Sequence, residues 1–94
     1  MQLDGGIRLR ESATPERELL RQEIEQTVFA TVEQLPEELR TAITLREVDG
    51  LSYEEIAEAM QCPIGTVRSR IFRAREAIAS RLRPLLGTRP GDRW

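Results

Sequence analysis

Apolar side chains recur at helical spacing in successive stretches of this chain, and the clearest pattern runs from Leu51 to Leu86. With Val67 set at zero and about 100° added per residue, Val67, Ile71, Ala74, Ile78 and Leu82 fall in one narrow stripe. The opposite side carries Ser69, Phe72, Arg73, Glu76 and Arg83, flanked by Arg68 and Arg75 on one edge and Arg70 on the other. The stripe predicts a helix over about 63–83 that turns aliphatic groups inward and guanidinium groups outward. Ahead of it, Ile56, Ala57 and Met60 mark the buried face of a shorter helix. Upstream, Leu20, Ile24, Val28 and Val32, joined by Leu19, Phe29 and Leu35, predict a helix from about Thr14 to Gln34 laid over the later two. Leu39, Ala42, Ile43, Leu45 and Val48 supply the buried side of another.

The punctuation between these stretches fits. Thr14-Pro15-Glu16 starts the first helix with proline in its first turn, where the missing N–H is no loss. Leu35-Pro36 closes it and opens the second, and Asp49-Gly50 ends the second with glycine in the left-handed position. Ser52 and Glu55 form a capping box that starts the third. Gln61-Cys62-Pro63 stops it, because proline disfavours helical geometry in the residue before it. Many helix-turn-helix units carry a glycine in this turn; here Gln61 or Cys62 occupies the place, and Pro63 is expected to open the turn slightly. The expected fold is all-α: a small four-helix domain over 14–86 with a C-terminal helix-turn-helix and no wing. Residues 1–13 read as a linker or tail, and 87–94, including Trp94, as a frayed tail in solvent.

Composition narrows the functional classes. Aromatic residues make up only 4% of the 94-residue chain, against a sheet protein. No apolar run approaches the roughly 18 residues that span a bilayer, and no secretory signal is present, so a cytoplasmic protein without membrane contact is expected. One cysteine excludes an internal disulfide, and the absence of histidine argues against a zinc site and removes the commonest general base. No glycine-rich phosphate loop and no paired carboxylates stand out. An enzyme, a metal centre and a cofactor are therefore not expected. Cys62 reads as a small turn residue or as a redox switch, the first being the simpler.

The net charge of −2 conceals a division. Residues 1–62 hold six arginines and fourteen acids, a balance of −8; residues 63–94 hold eight arginines and two acids, a balance of +6. Local fields decide where a phosphate backbone docks. All fourteen basic residues are arginine, which suits bidentate recognition, although a GC-rich genome gives the same bias. A helix presenting arginines and one phenylalanine matches the DNA major groove, which shows N7 and O6 of guanine to arginine and the thymine methyl to an apolar group. The other helices begin with acids: Glu16, Glu37 and Glu38, Glu54 and Glu55. The last begins Ile64-Gly65-Thr66-Val67 with none, leaving the positive end of its dipole open to a phosphate. Arg46 is either a cation favoured near a helix C-terminus or a phosphate contact. Tyr53 either packs its ring on the core or meets a phosphate.

These residues resemble a known family. Leu35-Pro36-Glu37, Leu45-Arg46, Gly50-Leu51-Ser52-Tyr53-Glu54-Glu55-Ile56-Ala57 and Gly65-Thr66-Val67-Arg68-Ser69-Arg70, in that order, are similar to region 4 of bacterial RNA polymerase sigma factors. The likeness is greatest to the extracytoplasmic-function (ECF) group of the sigma-E/AlgU type and covers roughly 35–86. It implies a helical bundle whose helix-turn-helix reads the −35 promoter element, of GGAAC type. It also implies docking on the polymerase β-flap and inhibition by an anti-sigma factor. Carried over by position, base reading falls on Arg68, Ser69, Phe72 and Arg73, and phosphate contact on Arg46, Tyr53, Thr66 and Arg70. The base-reading set coincides with the outward face obtained from periodicity alone.

A complete ECF factor has a preceding domain that binds polymerase and melts the −10 element, which Met1–Ala13 could not supply. The expectation is an isolated C-terminal domain that recognises DNA without initiating transcription. Two other functions fit the same pattern. One is a protein-interaction module whose apolar grooves hold the β-flap or an anti-sigma segment. The other is a helix-turn-helix output domain of a response regulator, which lacks the motif order above.

Overall fold

The computed structural model describes residues 14–87, and within them the chain forms four helices: α1 (Pro15–Gln34), α2 (Glu37–Glu47), α3 (Tyr53–Met60) and α4 (Ile64–Leu82). The tail assigned to 1–13 and all but Gly87 of the one assigned to 87–94 lie outside the described residues. Thr14 caps α1 by accepting from the Arg17 amide at 3.1 Å, with Pro15 at the first helical position. Leu35 is extended, and Arg40 of α2 reaches back to the Glu33 carbonyl at 3.1 Å, satisfying one of the exposed acceptors at the end of α1. Gly50 takes a φ of 71° after α2, as its place past the helix end requires. Ser52 and Glu55 complete the capping box in both directions, at 3.0 Å and 2.8 Å.

The core is where the stripes converge. Ala42 and Ile43 of α2, Ile56 of α3, and Val67, Ile71 and Ala74 of α4 are buried together with Leu35. α4 packs against each of the other three helices, so it is the axis of the domain. Ile78 and Leu82 continue its stripe half-buried. At about 25 cal/mol per Å² of apolar surface, these side chains supply the main stabilising contribution.

Three expectations need correction. The apolar stripe of α1 covers the other helices only through its C-terminal half: Val32 packs on the core, while Leu19, Leu20 and Phe29 are exposed, Phe29 at 68%. Periodicity gives α1 an apolar face, but of that face only Val32 packs against the buried core. Val48 is likewise exposed, at 76%, because it sits at the C-cap of α2 beyond the last packed turn. The buried residue of α1 is instead Thr31, whose hydroxyl donates to the Thr27 carbonyl at 2.7 Å. The helix-turn-helix turn also differs. It is not opened by Pro63: Gln61 adopts the left-handed conformation at φ 55° and ψ 52°. The Gln61 and Cys62 amides then close on the Glu58 and Ala57 carbonyls at 3.3 Å and 3.0 Å. A glutamine occupies the conformation that glycine usually takes.

Candidate nucleic-acid interface

The two faces of α4 separate sharply. Neighbouring Ile71 and Phe72 are 1% and 63% exposed. Arg68, Ser69 and Arg73 stand exposed with Phe72 on the outward face. Arg73 makes no intramolecular hydrogen bond or ion pair among the described residues. The start of α4 carries neither an acid in its first turn nor a side-chain cap on its Pro63 N-cap, unlike the acid-bearing first turns of α1, α2 and α3. The amides of Thr66 and Val67 turn back on the Pro63 carbonyl at 3.0 Å and 3.2 Å. Gly65 beside them is exposed, and a Cβ added there would meet nothing within 4 Å.

On one flank, Arg46, Tyr53 and Arg68 come together from α2, α3 and α4. The Arg46 guanidinium carbon lies 4.9 Å and that of Arg68 5.8 Å from the Tyr53 ring centroid, both within cation–π range. Arg46 is further held by donating Nη1 to the Leu51 carbonyl at 2.9 Å. Arg75 joins this flank through an ion pair with Glu47 at 2.6 Å. The hydrogen bond to Glu47, foremost, holds the Arg75 guanidinium above its ordinary value. On the other flank, Arg70 folds over the turn, with Nη1 3.7 Å from Cys62 Sγ and 4.0 Å from Met60 Sδ. Cys62 is half-buried there.

Thr66, Ser69, Arg70 and Arg73 also line a cleft of about 700 Å³ whose far wall is Pro36, Glu38 and Leu39 at the start of α2. That wall carried no sequence signal, since its residues lie about 30 positions from those they face. The Glu47–Arg75 pair escaped for the same reason, spanning 28 positions. Of the anticipated site residues, Arg46, Tyr53 and Arg68 touch; Thr66, Ser69, Arg70 and Arg73 share the cleft; Phe72 projects alone. No group of three or more metal-ligating side chains converges among the described residues, and no helix there is long and apolar enough to cross a membrane.

Comparison with known proteins gives this geometry a context. Residues 25–78, more than half the chain, match the family model for sigma-70, region 4. The RNA polymerase sigma-H factor of Pseudomonas aeruginosa is 65% identical over 83 residues, covering 88% of this chain and 43% of that protein. The ECF RNA polymerase sigma-E factors of Haemophilus influenzae and Escherichia coli are each 61% identical over 83 residues, covering 88% of this chain and 44% of theirs. The chain thus spans less than half the length of these relatives. The match includes the supporting helix, the turn and all but the last residues of α4. The chain belongs to the sigma-70 region 4 family, within the ECF sigma factors.

Proposed function

We propose that this chain is the DNA-binding C-terminal domain of an ECF sigma factor, recognising the −35 promoter element and docking on RNA polymerase for transcription initiation. It works in the cytoplasm without catalysing a reaction of its own. The observation that carries this reading is the two-faced α4, with Ile71 in the core and Arg68, Ser69, Phe72 and Arg73 outward. Such a helix enters the major groove, with arginine bidentate to guanine and Phe72 against a thymine methyl or base edge. Arg46, Thr66, Arg70 and the Tyr53 hydroxyl fix the register through phosphates. The open start of α4 accepts one phosphate at its dipole.

Titration of a labelled duplex carrying a GGAAC-type element, against a scrambled duplex, tests the proposal. Each of Arg68 and Arg73 is expected to contribute about 1–3 kcal/mol of discrimination. With some four to six phosphate contacts, log affinity should fall with log salt at a slope of about −4 to −5. Equal affinity for both duplexes, or no effect of Arg73→Ala, sinks base readout.

A specific observation favours protein docking as a second activity. Ile24, Val28, Phe29 and Val32 of α1, with Thr44 and Val48, line an apolar groove of about 460 Å³ rimmed by Glu25 and Glu33. A groove of this kind accepts the apolar face of a partner helix, and the β-flap and an anti-sigma factor are the proposed occupants. Loss of partner binding in Phe29→Ala with unchanged DNA affinity would separate the two activities.

A further inference from the structure

We infer that Tyr53 is a positioning residue for base readout, its aromatic ring holding the Arg68 guanidinium toward the groove. This rests on the promoter-reading proposal and deepens it: whatever the Tyr53 hydroxyl meets, the ring is what specificity depends on. Arg68 is an exposed side chain on the outward half of α4, and its contact among the described residues is the Tyr53 ring, at 5.8 Å. A long arginine chain left free must be ordered when it binds a base edge, and ordering it beforehand lowers that cost. The ring is suited to the task. Tyr53 is the first residue of α3, its backbone fixed by the Ser52–Glu55 capping box, and its side chain packs against the core. The ring is therefore a fixed platform between the supporting and reading helices.

Arg46 completes the arrangement. It occupies the same ring at 4.9 Å and is tied to the Leu51 carbonyl, so it is the more firmly placed of the two cations. Repulsion between two guanidinium groups on one ring opposes movement of Arg68 toward Arg46. Glu47, bound to Arg75 beside this cluster, offsets part of the accumulated positive charge. Arg46, Tyr53 and Arg68 come from three different helices, so the fold must be complete before Arg68 is oriented.

The experiment compares the full chain with Tyr53→Phe and Tyr53→Leu, titrated against a GGAAC-type duplex and duplexes in which each guanine is replaced in turn. Arg68→Ala identifies the guanine that Arg68 reads. Tyr53→Phe keeps the ring and should preserve discrimination at that guanine to within about twofold. Tyr53→Leu should lower it about three- to tenfold, the fold-change of one lost cation–π contact, with discrimination at the other guanine retained. Equal losses in both variants, or a Tyr53→Leu effect spread over all duplexes alike, overturn the inference. A wild-type chain blind to the −35 sequence overturns the promoter-reading proposal and this one with it. A discriminating wild type and an unaltered Tyr53→Leu overturn this one alone. Should Tyr53→Leu not fold, nuclear magnetic resonance of the wild type and Tyr53→Phe decides. Arg68 side-chain protons shifted upfield by the ring current in both support the inference, and free-arginine positions overturn it.

Discussion

Arg75 Nη2 donates to Glu47 Oε2 at 2.6 Å, joining the flank of the reading helix to the last residue of α2. Both side chains are about half exposed, at 52% and 53%, so the pair contributes little stability in water. Its larger consequence is electrostatic, because it holds a carboxylate on the flank that carries Tyr53 and engages a cation that could meet a phosphate. Glu47→Gln should leave stability within about 0.5 kcal/mol. It should steepen the dependence of log affinity on log salt by about one unit, as one more arginine reaches the backbone. An unchanged slope together with a lowered melting temperature would assign the pair a structural role instead.

Ile71 and Phe72 are adjacent in sequence and opposite in environment. Ile71→Ala should cost about 2–5 kcal/mol, since it removes three methyl or methylene groups from a closed core. In a domain of this size that approaches the whole stability. Phe72→Ala should stay within about 0.5 kcal/mol of wild type by thermal melting, as expected of a surface substitution. Its effect should appear in duplex binding alone. A Phe72→Ala chain that melts like Ile71→Ala would contradict the outward placement of the ring.

Gln61 closes the helix-turn-helix turn in a left-handed conformation unfavourable to a residue bearing a Cβ. Gln61→Gly removes that penalty while adding chain freedom to the unfolded state, and the balance should stabilise the domain by about 0.5–1 kcal/mol. Chemical denaturation would register it as a higher midpoint at constant slope. A lower midpoint would mean that the glutamine side chain contributes more than its backbone costs.

Acid should loosen the start of α1. The Glu18 carboxyl is held below its ordinary value of 4.5, chiefly by the hydrogen bond from Arg21, which also donates to Glu25 at 2.7 Å. A depressed carboxyl contributes stability that is complete above its unfolded value and lost as pH falls through the lower folded one. Amide exchange along 15–25 should therefore rise as pH drops below that of the free carboxyl, after correction for the intrinsic pH dependence. The core helix α4 should remain protected. Uniform loss of protection along the chain would indicate a different acid-sensitive group.

Legibility in the sequence followed the range of the interactions. The Ser52–Glu55 box spans three residues and the Val67–Leu82 stripe repeats within one helix, so both could be read from spacing. The outward face of α4 came with them, because fixing the inward stripe fixes its opposite. What covers a stripe is a tertiary matter: Leu20 and Val32 have the same pattern on α1, yet only Val32 packs on the core. Thr31 gives no core signal in the sequence, because its polarity hides a hydroxyl satisfied within its own helix. The stacking of Arg46 and Arg68 on Tyr53 required the positions of three helices at once.

Gly65 separates the needs of the fold from those of the proposed ligand. It lies in the first turn of α4, in ordinary helical geometry, and an added Cβ would meet nothing within 4 Å. Nothing in the described packing requires glycine there. Alanine favours helix by up to about 1 kcal/mol over glycine, so Gly65→Ala should leave the domain equally or more stable. If a phosphate approaches the start of α4, the added methyl stands in its path, and duplex affinity should fall for cognate and scrambled sequences alike. Calorimetric melting and duplex titration on the same protein would read both effects. Higher stability with unchanged affinity would remove the phosphate from the start of α4 while leaving base readout by Arg68 and Arg73 standing.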